Sequence, residues 1–459
     1  MCKYIRPSEE KLYICTQVYR QTSLRMQIKQ IKIENFKGIT LFEMNMGDSL
    51  NTFIGANGSG KSTIIEAIDM LLSWVVARVR TERGQGDLIH LNQIRKGAQY
   101  ARLSIDVELE GERYKWSLYK KANQVRKKLP DDSSDLVRSS ACANKIVEII
   151  NQRKIAPPII SSFGVNRAVD EIPKGISKRK HKLKPEDIYD KGTSSIRFRS
   201  LFEWMLERQD IENEEYRAKS EAGELFTEDE QLATVKRAIE KVFDSGYTNL
   251  KVKSHPRRVT IEKSEGATLK EYELDLLSDG EKCYLAIVAS IARLLAMATP
   301  PGQDPLESSG IILIDEVDLH LHPEWQLTIV PRLTKTFPNC QFIFTTHSPH
   351  VISSIPSDGN SKLVVMEEGV GQEVGSVWYG KESDSILLEY FGLSHVRNNK
   401  VHHLLREIWQ ELNQNNDITD HYKDLKSQLQ SLLNPNDPAI FELQLQEALN
   451  AKRQNEKNK

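Results

Sequence analysis

Apolar and polar positions alternate along residues 26–54: Ile28, Ile31 and Ile33, then Phe42, Met44 and Met46, then Thr52-Phe53-Ile54. Successive side chains of a strand point to opposite faces, so this spacing predicts strands, the last of them running into a glycine-rich turn. Past the turn the period changes, with Ile64, Ile65, Ile68, Leu71 and Leu72 at helical spacing. Residues 100–109 and 113–120 alternate again and predict an antiparallel hairpin on a sheet edge. From about 121 to 145 no period holds, and a loop carrying Arg126-Lys127-Lys128 is expected.

Pro157-Pro158 introduces a short buried strand over 159–163, followed by an exposed basic loop over 174–184 and a helical insert over 195–222. Strand-like runs return near 248–253, 257–262 and 270–276, ahead of a helix carrying Tyr284, Ile287, Val288, Ile291, Leu294 and Leu295. Ile311–Ile314 and Phe342–Phe344 are continuously apolar, as parallel strands buried on both faces require. Beyond about 385 the chain reads as helices, broken at Asn434-Pro435-Asn436-Asp437-Pro438. No repeat and no long heptad array interrupts this order. The expected division is 1–25, an extension before the natural beginning at Met26; 26–165, a first lobe; 166–262, the basic loop and helical insert; 263–384, a second lobe; and 385–459, a helical C-terminal region.

Composition narrows the class. At 459 residues, 39% hydrophobic and 28% charged, the chain suits a large folded domain or two. No run approaches the roughly 20 apolar residues of a membrane span, and Met1–Pro7 lacks the apolar core of a leader. A cytoplasmic protein is expected. The five cysteines, Cys2, Cys15, Cys142, Cys283 and Cys340, show no paired spacing and read as inert thiols. A formal net charge of −1 means that any nucleic-acid contact must come from local patches.

Five short segments carry the candidate chemistry. Gly55-Ala56-Asn57-Gly58-Ser59-Gly60-Lys61-Ser62 fits G-x-x-x-x-G-K-[ST] in full, between the strand and the helix that the motif needs. Such a loop cradles phosphates with backbone N–H groups at a helix N-terminus. ATP and Mg²⁺ are therefore the expected ligands, held by Gly55, Asn57, Gly58, Ser59, Gly60, Lys61, Ser62 and Thr63, with Ser62 on the metal. Asp315-Glu316 ends the apolar run 311–314. There Asp315 is placed to join Ser62 on the metal and Glu316 to orient and deprotonate the attacking water. Unpaired acids beside an apolar core would otherwise be costly.

Leu277-Ser278-Asp279-Gly280-Glu281 opens a helix and has two readings. It is an ordinary helix cap, or Ser278 and Gly280 form a second anion-binding N-terminus. In the second reading two helix N-termini want the same phosphates yet sit apart within one chain. Two copies would then face each other with ATP between them. His347 follows the strand ending at Thr346 and is placed to sense the γ-phosphate, or is a plain loop histidine. Asp318, His320 and His322 lie in the stretch expected to cross between copies, although His320 and His322 could instead hold zinc.

This ordered set resembles the ABC-type ATPases of the RecF, SMC and overcoming-lysogenisation-defect kind. Asp315-Glu316-Val317-Asp318-Leu319-His320-Leu321-His322-Pro323-Glu324-Trp325-Gln326 and Thr345-Thr346-His347-Ser348-Pro349 are similar to the last of these branches. The resemblance implies an α/β fold, a two-lobed ABC-type P-loop ATPase head with a mixed sheet around a parallel core, a helical insert and a helical C-terminal extension. Residues 165–173, 198–214 and 379–387, and the helices around Asn436-Asp437-Pro438, resemble the PtuA ATPase subunits of Septu anti-phage defence systems and their retron-associated relatives.

That family resemblance implies a nucleotide-controlled homodimer, higher assemblies through the C-terminal helices, and control of a separate HNH nuclease, PtuB. In retron versions a reverse transcriptase and its RNA–DNA product join as well. The short tail lacks an acidic Toprim-like cluster, so a nuclease within this chain is not expected. The glutamine that contacts the metal in ABC proteins has no clear counterpart; Gln93 is one candidate, and Arg167 could reach a phosphate instead. The alternative function is a RecF-like repair protein that binds DNA when ATP is present, through Arg126-Lys127-Lys128 and the 174–184 loop.

Overall fold

The computed structural model describes residues 24–123, 133–152, 154–165, 188–189, 198–226, 228–244, 246–254, 257–266, 268–375, 377–414 and 419–457. The expectations for residues 1–23, for Arg126-Lys127-Lys128, for Arg167 and for the 174–184 loop lie outside them.

The described residues open with β1 (Met26–Phe36), β2 (Ile39–Asn45) and β3 (Leu50–Ile54), followed by α1 (Lys61–Arg80), β4 (Tyr100–Leu109), β5 (Glu112–Lys121), α2 (Val137–Gln152) and β6 (Ile159–Phe163). Helices α3 (Phe198–Ala222) and α4 (Glu230–Val242) precede the strands β7 (Tyr247–Ser254), β8 (Arg257–Glu265) and β9 (Thr268–Glu273). Then come α5 (Asp279–Ala298), β10 (Gly310–Ile314), α6 (Pro323–Gln326), α7 (Ile329–Thr336), β11 (Cys340–Thr345), α8 (Pro349–Ser354), β12 (Ser361–Glu367) and β13 (Val370–Glu373). The chain ends in α9 (Ser383–Tyr390), α10 (Asn399–Gln414), α11 (Asp420–Leu432) and α12 (Pro438–Lys457).

Among the described residues three sheets form: β2-β1-β4-β5, β13-β12-β3-β11-β10-β6 and β7-β8-β9. The first and third are antiparallel. The second is parallel except for its edge strand β13. Three of its inner strands, β3, β10 and β11, are buried at every position, which accounts for the apolar runs Ile311–Ile314 and Phe342–Phe344. This is the α/β architecture expected, with a parallel core.

Several elements differ from the expected pattern. Residues 121–145 are not loop throughout, because α2 begins at Val137 and buries Cys142, Ala143, Ile146, Ile149 and Ile150. That period straddles the end of the irregular stretch, so a window centred on its polar half hides it. Helix α4, capped by the Asp229 side chain accepting from the Leu232 N–H, buries Leu232, Val235, Ala238, Ile239 and Val242 and was not anticipated, nor were β12 and β13. The third strand of the small sheet ends at Glu273, and a single 3₁₀ turn covers Leu274–Leu276.

The chain divides into two compact units, one ending at Ile386 and one spanning Leu387–Lys459. The second has its own core of Leu404, Ile408, Leu412, Tyr422, Leu425, Leu429 and Leu443. The Arg397 guanidinium donates to both carboxylate oxygens of Asp437 at 3.0 and 3.1 Å within this unit.

One buried side chain joins the first two sheets. The spacing Ile28 to Ile31 departs from strict alternation because the β1–β4 register shifts between Ile28 and Gln30. Near that irregularity the Gln341 amide, 1% exposed on β11, completes the backbone bonding. The Ile28 N–H donates to Gln341 Oε1 at 2.7 Å, and Gln341 Nε2 donates to the carbonyls of Ile28 and Gly47 at 2.9 and 2.7 Å. Gln341→Leu would strand these three backbone groups, each at a cost of about 1–3 kcal/mol if water cannot reach it. The urea midpoint of the first unit is expected to fall by the equivalent of at least about 2 kcal/mol. A midpoint equal to that of the parent would contradict this account.

Candidate functional site

The glycine-rich turn after β3 takes its shape from close packing. Gly55, Gly58 and Gly60 have φ of 138°, 79° and 111°, in the region that a side chain disfavours. At Gly55 a Cβ would also lie 2.2 Å from the Met366 carbonyl oxygen, so β12 leaves no room for one. Asn57 and Gly58 stand exposed at the crest, while Ser59 is buried with a hydroxyl that has no hydrogen-bond partner. Helix α1 begins at Lys61 with Thr63 in its first turn, no capping side chain and no acidic residue there. Its first N–H groups and the Ser59 hydroxyl are thus available to an anion.

Lys61 closes this turn. It is 5% exposed, and its Nζ donates to the carbonyls of Gly55 and Ala56 at 3.0 and 2.9 Å. Burial lowers the pKa of the ammonium, opposed by the carboxylates of Glu316, Asp315 and Asp318.

These acids arrive from β10, which pairs in parallel with β11, itself parallel to β3. Asp315 Oδ1 accepts from Ser62 Oγ at 3.0 Å and from the Thr345 hydroxyl. The same Thr345 oxygen accepts the Glu316 N–H at 2.6 Å, which holds Glu316 in a left-handed conformation at φ 50°. Asp318 accepts from the Thr346 hydroxyl. His347 is half-buried, and burial, with the nearby Lys61 charge, lowers its pKa against the pull of Asp318, Glu316 and Asp315.

Lys61, Ser62, Asp315, Glu316, Asp318 and His347 thus meet at one edge of the parallel sheet. The Ser62 hydroxyl beside the Asp315 carboxylate is an oxygen pair of the kind that suits Mg²⁺, which takes few protein ligands and completes its shell with phosphate and water. The arrangement can hold a triphosphate, a divalent metal and a water molecule facing a carboxylate.

Ser278 and Gly280 belong elsewhere. Among the described residues no hydrogen bond links them to the 55–63 segment. Ser278 caps α5 in a capping box with Glu281, its own N–H donating to Glu281 Oε2 at 2.7 Å. Glu281 also accepts from Lys263 Nζ at 2.6 Å and from the Tyr247 hydroxyl. Burial opposes ionisation of Glu281, but the hydrogen bonds from Lys263, Tyr247 and Ser278 prevail and hold its pKa at about 2. Gly280 is buried against the following loop, where a Cβ would lie 2.1 Å from the His320 carbonyl oxygen. Ser278 itself is exposed, at the rim of a cleft of about 520 Å³ shared with Tyr247, Lys263, His320 and Trp325.

Other candidates resolve differently. The Gln93 amide is engaged at both ends, Nε2 donating to Glu66 at 2.9 Å and Oε1 accepting from the His90 N–H at 2.7 Å, so it serves a local turn. Among the described residues no group of three or more His, Cys, Asp or Glu side chains could hold a metal, so His320 and His322 form no zinc site there. Cys142, Cys283 and Cys340 are buried, and burial pushes the thiols of Cys142 and Cys340 up to about 12. The sequence assigns no role to Thr345 itself within the Thr345-Thr346-His347 segment, yet its hydroxyl orients both acids.

Residues 50–353 match the family described as AAA domain, putative AbiEii toxin, Type IV TA system. The chain is 31% identical to the "Retron Ec83 probable ATPase" of Escherichia coli, over 72% of this chain and 70% of that protein. It is 24% identical to the "Septu protein PtuA" of Bacillus thuringiensis, over 92% of this chain and 98% of that one. Among solved structures, the SMC head domain from Thermotoga maritima aligns with a TM-score of 0.39 and 17% identity, over 76% of this chain and 99% of that one.

The Glu281 network carries a pH signature. A carboxyl whose folded pKa lies below its unfolded value contributes stability that is present above the unfolded value and is lost as pH falls through the folded one. For Glu281 that window runs from the usual 4.5 down to about 2. Glu281→Gln is expected to lower the denaturant midpoint at pH 7, and the gap between variant and parent should narrow as pH is taken from 5 towards 3. A gap that stays constant over that range would refute the assignment.

Proposed function

The chain belongs to the AAA-domain family matched by residues 50–353, and from that membership together with its retron and Septu relatives we propose that it is the ATP-hydrolysing regulatory subunit of an anti-phage defence complex. It is an ATPase of the ABC type, and in this reading two copies clasp ATP between them while a separate HNH nuclease of the PtuB kind is controlled by that closure. One observation carries the dimer: Ser278, at an exposed helix N-terminus, has no bond to the phosphate loop of its own chain. Two anion-binding helix ends that are complementary to one triphosphate, yet separate within one chain, suit a second copy turned head to tail.

In this mechanism the N–H groups at the start of α1 and the Ser59 hydroxyl bind the phosphates, and Lys61 turns from the carbonyls of Gly55 and Ala56 to the outer phosphates. Ser62 and Asp315 would hold Mg²⁺, which would supply positive charge to offset that of the phosphate oxygens. Glu316, its backbone anchored by Thr345, orients the attacking water and takes its proton. His347 donates a ring N–H to an oxygen of the γ-phosphate and so reports its presence. Asp318 and Ser278 face the partner. Hydrolysis is slow and acts as a timer on the nuclease. The Septu and retron names of the relatives support the defence setting, and a reverse transcriptase with its RNA–DNA product is a further partner in the retron case.

Three variants separate the steps. Lys61→Ala should weaken ATP binding. Glu316→Gln should keep binding, trap an ATP-dependent dimer and slow hydrolysis by roughly 10²–10³. Ser278→Arg should keep binding but abolish ATP-dependent dimerisation, as read by sedimentation. Parental hydrolysis in Glu316→Gln would remove it as the catalytic base. Separately, expression of the chain with its neighbouring genes should yield a complex containing an HNH protein. Purification of the chain alone, from cells that also make such a protein, would defeat the regulatory reading.

A further inference from the structure

Residues 318–322 follow the two acids and lie against both the His347 segment and the start of α5. The conformation of this stretch is unfavourable by itself. Glu316 and His320 have φ of 50° and 64°, and a non-glycine residue held there costs on the order of 1–3 kcal/mol unless its surroundings hold it.

A chain of hydrogen bonds supplies that hold. Gln326, at the end of α6, donates from Nε2 to the Leu321 carbonyl at 2.9 Å. Its Oε1 accepts from the Ser348 hydroxyl at 2.7 Å. The Ser348 N–H in turn donates to Thr346 Oγ1 at 3.0 Å, and the Thr346 hydroxyl donates to Asp318. One side-chain amide therefore ties the 318–322 stretch to the segment on both sides of His347. On the opposite side the His320 carbonyl rests on Gly280, with no space for even one added carbon. Movement of residues 320–321 must press on the first turn of α5, where Ser278 sits.

We propose that Gln326 is a positioning residue that couples the γ-phosphate end of one nucleotide site, at His347, to Ser278, which serves the site of the partner copy. This rests on the sandwich reading given above. The path runs from His347 through Ser348, the Gln326 amide, the carbonyls of Leu321 and His320, and Gly280 to Ser278. An amide is needed because one end must donate and the other accept. A carboxylate of the same size still accepts from Ser348 but sets an oxygen against the Leu321 carbonyl, which breaks the link at one point. A thioether of similar length breaks it at both.

The test uses the full chain as the parent, Gln326→Glu and Gln326→Met, with four readouts: binding of Mg·ATP, ATP-dependent self-association by sedimentation, steady-state kcat and KM, and the thermal midpoint without nucleotide. Both variants should bind Mg·ATP within about twofold of the parent and keep its KM, because the phosphate loop is untouched. Their kcat should fall by about tenfold to a hundredfold, the scale on which a displacement of about 1 Å in supporting groups acts. Parental kcat in Gln326→Glu, from a parent that self-associates with ATP, overturns the coupling and leaves the sandwich standing. A loss of binding and thermal stability in step with kcat also overturns it, since a plain packing role would do that. A parent that hydrolyses ATP without ever self-associating overturns the sandwich reading and the coupling together, so the two failures are told apart.

Discussion

Three parallel strands that end at one edge are the constraint on which this site depends. β3, β11 and β10 lie side by side, with Phe342 opposite Leu50 and Gly310 opposite Cys340. Parallel strands deliver their C-terminal ends to the same side, which is where ligands gather in sheets of this class. Residues 55–62, 315–318 and 345–347 therefore emerge together although long stretches of chain separate them. Register matters as much as order, because a slip by one residue would turn every side chain to the other face.

The edge so formed gathers charge that an apolar core could not otherwise tolerate. Lys61 is nearly buried among carbonyls, with three carboxylates close enough to oppose the effect of its burial. His347 feels the same acids and the same lysine with opposite signs. Thr345 keeps the arrangement ordered, since one hydroxyl donates to Asp315 while accepting from the backbone of Glu316. Uncompensated, such a group of charges is costly. The proposed Mg²⁺ would offset the excess of carboxylates, and Lys61 would pair with the phosphates.

The second half of the proposed machinery is organised by packing against the loop after the acids. Ser278 is held by the capping box, Glu281 is fastened to Lys263 and Tyr247, and Gly280 lets the helix start touch the His320 backbone. The surface that would face a partner is thus held from behind by the same loop that the His347 segment holds through Gln326. Contact of this kind is rigid: at interior packing density a shift on one side has little free volume in which to disappear.

The chemistry was legible in the residues themselves. The glycine spacing around Lys61, the apolar runs ending in Asp315-Glu316 and Thr345-Thr346, and the capping sequence at Ser278 each announce a local structure and a task, because backbone preference and side-chain period act over a few neighbours. Even the bulge in β1 was written as the step from Ile28 to Ile31. Helices α2 and α4 were readable in principle, but polar flanks masked their period. What only the tertiary structure decided is which polar groups complete one another: Gln341 with Ile28, 313 residues away, Thr345 with both acids, Gln326 with Leu321 and Ser348, and Gln93 with Glu66. Those pairings follow from desolvation, which penalises any buried donor or acceptor left alone and is indifferent to distance along the chain. The sequence by itself determined the strands, the helix ends and the kinds of chemistry; the folded chain chose the partners.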